Sequence, residues 1–180
     1  MPIENIAVCV AGDPAGSLPT AKFGIYLAKC LGARLTAIHV IDEKALQELL
    51  RSHILVRVEA LEYEREMESQ AKSFLERFRQ AAEARGVIFQ AVLRRGIPHQ
   101  EVTKAIKEFG AQLLVMGELK EALSLKERFF DEGSLIFYRC PCPVVVVKDP
   151  ASVESLYRQL SVGARGFEPR TPALSAQCSA

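Results

Sequence analysis

The residues best suited to chemistry lie between Gly117 and Ser134. Gly117 ends a short apolar run, Lys120 follows it, and the pair Gly133-Ser134 precedes another apolar stretch. Glycines let backbone N–H groups approach a phosphate closely, and a Gly-Ser pair that opens a helix presents the helix N-terminus to an anion. These residue types therefore suit an anion such as a nucleotide phosphate, whereas Asp131 adds a negative charge to the same segment.

The cysteines and histidines do not form a catalytic or metal-binding pattern. Five cysteines are an odd number in a chain too large to need disulfides, so we expect reduced thiols in or near a core. Cys140-Pro141-Cys142 suggests metal or redox chemistry, yet no second Cys pair or nearby His completes a site. His39, His53 and His99 are isolated, and we expect His39 to pack at a strand end. We predict no catalytic residue and no metal ligand.

Two adjacent arginines, Arg94 and Arg95, stand at the carboxyl end of the third predicted strand. Two interpretations remain open for them. In the first interpretation the two arginines bind an anionic ligand. In the second they form a solvated pair in the turn that leads to Pro98.

The apolar pattern predicts strands and helices that alternate along the chain. Apolar runs predict buried strands at 3–10, 35–41, 87–93, 113–117 and 144–147. Stripes at spacings of three and four predict helices at 19–31, 43–52, 59–85 and 98–109, with a β-branched patch at 54–58 and a crossover helix before the last strand. This alternation predicts an α/β fold, a parallel sheet covered by helices on both faces and joined by right-handed crossovers. In such a fold, a ligand should lie at the loop after the fourth strand.

Length and charge limit the domain organisation and the partners. The 180 residues can form one α/β domain at 1–150, followed by a mostly flexible tail at 151–180 in which 153–160 adds a helical turn or two. The net charge of +1 is spread over interspersed basic and acidic residues, so we expect no nucleic-acid partner and no anionic membrane partner. The apolar runs are too short for a membrane span and no leader segment is recognisable, which favours a cytoplasmic protein.

Several short motifs occur in a characteristic order. They are Gly12 after the first strand, Gly32-Ala33-Arg34-Leu35 and His39-Val40 around the second, Gly96-Ile97-Pro98 after the third, Leu114-Val115-Met116-Gly117, and Cys142-Pro143 before four valines. With these motifs in this order, the chain resembles the universal stress protein family over about residues 3 to 148. The resemblance implies a three-layer, doubly wound, five-stranded sheet of the adenine nucleotide alpha hydrolase-like type, with strand order 3-2-1-4-5. It also implies a cytoplasmic homodimer and, in one branch of the family, ATP bound between strands one and four.

The resemblance defines a candidate crevice, but this chain departs from the ATP-binding motif. The candidate residues are Gly12, Asp13, Val40, Arg94, Gly96, Met116, Gly117, Lys120, Gly133 and Ser134. The ATP-binding branch carries Gly, two residues, Gly, nine residues, and then Gly followed by Ser or Thr. In the register shared by Gly117 and Cys142-Pro143, these later positions are Lys120, Phe130 and Asp131. Gly133-Ser134 fits the final pair only with three inserted residues and a last helix shortened by nearly a turn.

The opening strand agrees with a damaged nucleotide site. Where ATP-binding relatives have an Asp that contacts the base, this chain has Ala11, and Asp13 lies elsewhere on the turn. We therefore expect no cofactor and no catalysis. ATP remains the alternative ligand, held through Gly12, Arg94, Lys120 and Gly133-Ser134.

The last strand carries the main positive prediction. Val144, Val145, Val146 and Val147 would form an edge strand of β-branched apolar residues, and unprotected edges of this kind recruit another chain. We predict a homodimer in which two copies of this strand pair antiparallel. Two functional hypotheses follow. The first is a dimeric, non-catalytic stress-response or regulatory module that acts through an unknown protein partner, and the second is a switch that binds a nucleotide or another anion.

Overall fold

A computed structural model of the chain describes residues 2–10, 14–53, 57–118 and 131–162. The described strands are β1 (Asn5–Val10), β2 (Arg34–Asp42), β3 (Phe89–Gly96), β4 (Leu113–Gly117) and β5 (Val144–Val147). The described helices are α1 (Pro14–Leu31), α2 (Glu43–Arg51), α3 (Arg57–Glu83), α4 (Pro98–Glu108), α5 (Glu132–Arg139) and α6 (Pro150–Val162). None of these helices is long and apolar enough to cross a membrane.

The strands form one parallel sheet in the order β3-β2-β1-β4-β5, which confirms the predicted fold class and strand order. From β1 the chain proceeds outward to β2 and β3, and it then returns to β4 on the other side of β1 and proceeds to β5. The strand order therefore reverses between β1 and β4. At such a point the connecting loops diverge and leave a crevice outside the carboxyl ends of the strands.

Side chains that alternate along the strands form two cores, one on each face of the sheet. Ile6, Val8 and Val10 of β1 point to the face that α1, α3 and α6 cover, where they meet Ile25, Phe74 and Tyr157 among others. Ala7 and Cys9 point to the opposite face, which α4 and α5 cover through residues that include Val102, Ile106 and Ile136. Because both faces of the central strands are buried, their sequences read as unbroken apolar runs.

One glycine lets α1 lie directly against the sheet. A Cβ placed on Gly24 would stand 2.4 Å from Cγ2 of Val8, a side chain that is fully buried in β1. Any larger residue at this position would push α1 away from the strand. The close contact fixes the height of α1 above β1 and therefore the wall of the crevice that α1 supplies.

Several element boundaries differ from the sequence prediction by a few residues. The first helix begins at Pro14 rather than Pro19, so that Pro14 takes the first helical position, which suits a proline, and Pro19 lies inside the helix. The third strand begins at Phe89 rather than Val87, since the Val87 N–H still bonds to the Ala82 carbonyl at the end of α3 (3.1 Å). α3 begins at Arg57, so the β-branched patch is divided, and residues 54–56 lie outside the described residues.

The chain after β5 packs against the domain as a helix. α6 has 13 residues, more than the predicted turn or two, and its Val153 and Tyr157 belong to the core beside α1. Glu154 ion-pairs with Lys22 of α1, and the guanidinium of Arg85 lies 4.0 Å from the centre of the Tyr157 ring. The domain therefore extends to about residue 162, and the rest of the predicted tail, residues 163–180, lies outside the described residues.

Candidate functional site

A crevice of about 600 Å³ lies at the carboxyl ends of the strands, between β1 and β4. Its floor and walls include Cys9 and Val10 of β1, Val40 of β2 and Met116 and Gly117 of β4. The start of α1, the first turns of α4 and α5, Met67 of α3 and Glu118 after β4 also line it. A larger groove of about 860 Å³ lies elsewhere, between α1 and α3, but the topology places ligands of such sheets at the first location.

The structure brings together only part of the predicted site. Val40, Met116, Gly117 and Gly133 line the crevice, and Ser134 is buried in the first turn of α5 beside Asp131, which also lines it. Arg94 and Gly96 lie on β3, at the edge of the sheet, and are not among the lining residues. Gly12, Asp13 and Lys120 lie outside the described residues, as do Ala11 and Phe130.

Gly117 lies where α1 packs closely against the end of β4. A Cβ at this position would stand 3.2 Å from the Oγ1 of Thr20, a buried residue of α1. That separation is tighter than an ordinary van der Waals contact. Gly117 therefore allows α1 and the end of β4 to approach each other at the crevice.

The N-terminus of α5 carries its own carboxylate. Asp131 is the N-cap residue, and its side chain accepts hydrogen bonds from the Ser134 N–H (2.9 Å) and the Ser134 hydroxyl (3.1 Å). Gly133 and Ser134 lie in the first turn of a helix of only eight residues, which is the short helix that the alternative register requires. The Ser134 N–H that would face a phosphate in that register donates to Asp131 instead.

The N-terminus of α4 is satisfied by a carboxylate from α5. Glu132 accepts hydrogen bonds from the backbone N–H of His99 (3.0 Å) and from its Nδ1 (2.8 Å). Arg139 lies 2.9 Å from Nε2 of the same ring. Nδ1 therefore faces a carboxylate oxygen, and Nε2 faces a guanidinium nitrogen. His99, isolated in the sequence, is thus the centre of a network that joins α4 to α5.

The N-terminus of α2 is likewise capped by a carboxylate of this chain. Asp42, the last residue of β2, accepts from the backbone N–H groups of Lys44 (2.9 Å) and Ala45 (3.1 Å). Three helices therefore begin at the crevice with a carboxylate of this chain on their first N–H groups. The charged lining side chains among the described residues are all acidic: Asp42, Glu118, Asp131 and Glu132.

His39 stands in the crevice wall at the end of β2, as predicted for a packed residue. Burial lowers its pKa below the ordinary value of 6.5, and a hydrogen bond to the backbone of Val10 opposes this shift. Its Nδ1 is buried and has no hydrogen-bond partner within the described part of the chain. The ring therefore adds no positive charge to the crevice at neutral pH.

The two arginines of β3 form ion pairs with carboxylates of this chain. Arg94 ion-pairs with Glu108 and approaches Glu101 at 3.8 Å, and Arg95 ion-pairs with Glu64 and Glu68. Both lie within the strand rather than in a turn, because β3 continues to pair with β2 as far as Gly96. Of the two interpretations left open by the sequence, the placement in a turn is wrong because both residues belong to β3, and an anionic ligand stays a prediction. The arginines are bound to carboxylates of this chain.

Sequence reasoning missed three of the residues that define the site: Asp42, His99 and Glu132. Asp42 had a local signal, since an Asp directly after a strand and before a helical pattern is a typical N-cap. No local sequence signal indicated the contact between His99 and Glu132, because the two residues are 33 positions apart. Among the described residues, no group of three or more His, Cys, Asp or Glu is arranged to hold a metal ion.

Comparison with known proteins agrees with this architecture. The sequence pattern of the universal stress protein family matches residues 2–148. A universal stress protein of Methanocaldococcus jannaschii is 27% identical over 134 residues, which are 74% of this chain and 76% of that protein. A solved universal stress protein in complex with cAMP has a TM-score of 0.58 at 16% identity and covers 82% of this chain and 98% of its own. The universal stress protein of Archaeoglobus fulgidus in complex with dAMP has a TM-score of 0.54 at 17% identity, with coverage of 82% and 100%. At these identities the solved structures show the shared fold alone, whereas the family pattern spans most of the sequence, and the chain belongs to the universal stress protein family.

Proposed function

We propose that this protein is a cytoplasmic, homodimeric stress-response or regulatory module that acts through a protein partner, without binding ATP and without catalysis. The observation that carries the proposal is the capping of three helix N-termini at the crevice, those of α2, α4 and α5. Asp42, Asp131 and Glu132 accept from the first N–H groups of α2, α5 and α4, which are the groups that an anionic ligand would otherwise use.

Electrostatics strengthens the argument against a triphosphate. Two unit negative charges about 4 Å apart repel by about 1 kcal/mol in water and about 4 kcal/mol near a protein surface. A triphosphate beside α5 would meet Asp131 and Glu132 together, with no lysine or arginine among the described lining residues to offset them. The crevice is large enough for a nucleoside, so charge rather than volume disfavours ATP.

A second candidate function is a switch that binds a nucleotide of lower charge. Its support is the position of the crevice together with the two related proteins solved in complex with cAMP and with dAMP. Val40 and Met116 offer apolar walls for a base, and Gly133-Ser134 opens α5. In this candidate the single phosphate would lie away from Asp131.

Isothermal titration with ATP, AMP and cAMP separates these functions. We expect no saturable heat with ATP for the parent protein. Asp131→Asn removes the charge but keeps a side chain that caps a helix, so weak phosphate binding should emerge in this variant. Asp149→Asn is the matched control, because Asp149 accepts from the Ala151 N–H at the start of α6 and does not line the crevice.

Two results would contradict the proposal. One is saturable, micromolar ATP binding by the parent that disappears in Ser134→Asp. The other is equal behaviour of Asp131→Asn and Asp149→Asn, because the charge at α5 would then not be what excludes the phosphate. Saturable binding of AMP or cAMP alone would select the second candidate.

A further inference from the structure

The connection between α5 and β5 contains two thiols in contact. Cys140 directly follows α5 as its C-cap residue, and Pro143 separates Cys142 from β5. The Sγ atoms of the two cysteines are 3.5 Å apart. Both are free thiols, and both are partly exposed to solvent. The function proposed above makes no use of this pair.

Among the four cysteines that the structure describes, the geometry favours a bond between these two sulfurs. A disulfide requires a separation of about 2.05 Å, so the sulfurs must approach by about 1.5 Å. Side-chain rotation on a loop can supply such a movement without displacing a strand. The loop itself is held in place, since the Leu114 N–H of β4 donates to the Pro143 carbonyl at 2.9 Å.

We propose that Cys140 and Cys142 form a modification site that reacts with an exchangeable small-molecule disulfide of the oxidised-glutathione type and closes to an intramolecular disulfide. In the first step, the Cys140 thiolate attacks one sulfur of oxidised glutathione. The glutathione S–S bond breaks, a mixed disulfide forms, and one glutathione leaves as a thiolate that takes up a proton.

In the second step, Cys142 loses its proton to solvent and its sulfur attacks the Cys140 sulfur. The mixed disulfide breaks and the second glutathione leaves and is protonated. The protein gives up two electrons and two protons, and oxidised glutathione becomes two reduced glutathione molecules. The reverse sequence, with reduced glutathione, restores both thiols.

The surroundings set the order of attack. Burial, followed by the contact with Cys140, raises the pKa of Cys142 to about 12, so this thiol keeps its proton and reacts second. Cys9 is buried at the base of the crevice, and burial, followed by the proximity of Cys140, raises its pKa to about 12, so it stays reduced in the folded protein. Cys30 is exposed on α1 and has no cysteine partner within the described residues, so we expect a mixed disulfide with glutathione at this thiol.

Trypsin places the Cys140–Cys142 pair and Cys30 on different peptides. Cleavage after Arg139 and Lys148 yields a peptide that contains Cys140 and Cys142, and cleavage after Lys29 and Arg34 yields one that contains Cys30. The full chain is incubated with oxidised glutathione, its remaining thiols are blocked, and the digest is analysed by mass spectrometry. We expect the 140–148 peptide two hydrogens lighter than the dithiol, and the 30–34 peptide with one attached glutathione.

Single variants test the order of steps. Cys142→Ser should retain glutathione on Cys140, because the second step is removed. Cys140→Ser should react at Cys142 at least about tenfold more slowly, because that thiol keeps its proton. The proposal is overturned if the 140–148 peptide of the parent stays a dithiol while Cys30 is modified, or if it accumulates glutathione adducts instead of the internal disulfide.

Discussion

The two edges of the sheet are built from opposite kinds of side chain. β3 places Arg94 and Arg95 at one edge, where carboxylates on α3 and α4 neutralise both. β5 forms the other edge and consists of four valines without a charge. Charged side chains on an edge strand oppose pairing with another chain, and β-branched apolar ones favour it.

The contrast indicates which edge is suited to a partner. On β5 only Val147 is buried, at 8% exposure, and Val144, Val145 and Val146 remain partly exposed although α6 covers one face of the sheet beside them. An antiparallel partner strand would cover the rest. We therefore expect self-association through β5 and none through β3, which is the homodimer of the proposed function.

The largest effect should come from a charge placed on β5. In an antiparallel pair with twofold symmetry, Val145→Lys puts two ammonium groups near each other and removes apolar contact. We expect the dimer dissociation constant to rise at least about 100-fold, or about 2.7 kcal/mol. Gel filtration with light scattering at micromolar concentration measures the change, and circular dichroism checks that the variant is folded.

Val58→Lys is the matched control for that variant. Val58 lies on α3 and is 66% exposed, so the same substitution there removes apolar surface without touching an edge strand. It should remain as dimeric as the parent. A monomeric parent, or equal assembly of the Val145→Lys and parent proteins, would show that β5 does not pair.

A smaller effect should follow from removing the charges of β3. Arg94→Val with Arg95→Val makes this edge resemble β5, so species larger than a dimer should appear in light scattering. The lost ion pairs lie at the surface and are partly exposed to solvent, and each contributes about 1 kcal/mol or less to folding. Arg51→Val with Arg77→Val makes the same chemical change on helices and should leave the assembly unchanged. An unchanged assembly of the β3 double variant would mean that its charges do not protect the edge.

We expect the smallest effect from His39, which lies on β2 between the two edges, and it concerns the pH dependence of the free energy of unfolding. Its pKa is lowered in the folded state by burial, so below about pH 6.5 the unfolded chain binds a proton that the folded protein does not. The free energy of unfolding should therefore decrease as the pH drops below this value, by at most about 1.4 kcal/mol for each pH unit. Urea unfolding of the parent, His39→Gln and the exposed control His53→Gln, at about pH 7.5 and about pH 5.5, measures this loss. If the free energy of unfolding of His39→Gln decreases by as much as that of the parent between these pH values, groups other than His39 cause the pH dependence.

Much of the fold could be predicted from local patterns. Burial on both faces makes β1 and β4 apolar runs, and the bounds of β5 agree with the prediction to the residue. Element ends were less predictable where tertiary pairing extends them. β3 runs on through Arg94 and Arg95 because it pairs with β2 up to Asp42, and no local signal marks charged residues as part of a strand.

The sequence by itself determined the order of strands and helices and the acidic character of the segment around Asp131, because periodicity and residue type are local properties. Only the tertiary structure decided which carboxylate meets which helix N-terminus. Glu132 reaches the N-terminus of α4 because α4 and α5 pack side by side on the sheet, although 33 positions separate Glu132 from His99. Contacts between elements depend on the distances that packing sets, and a one-dimensional pattern does not contain those distances.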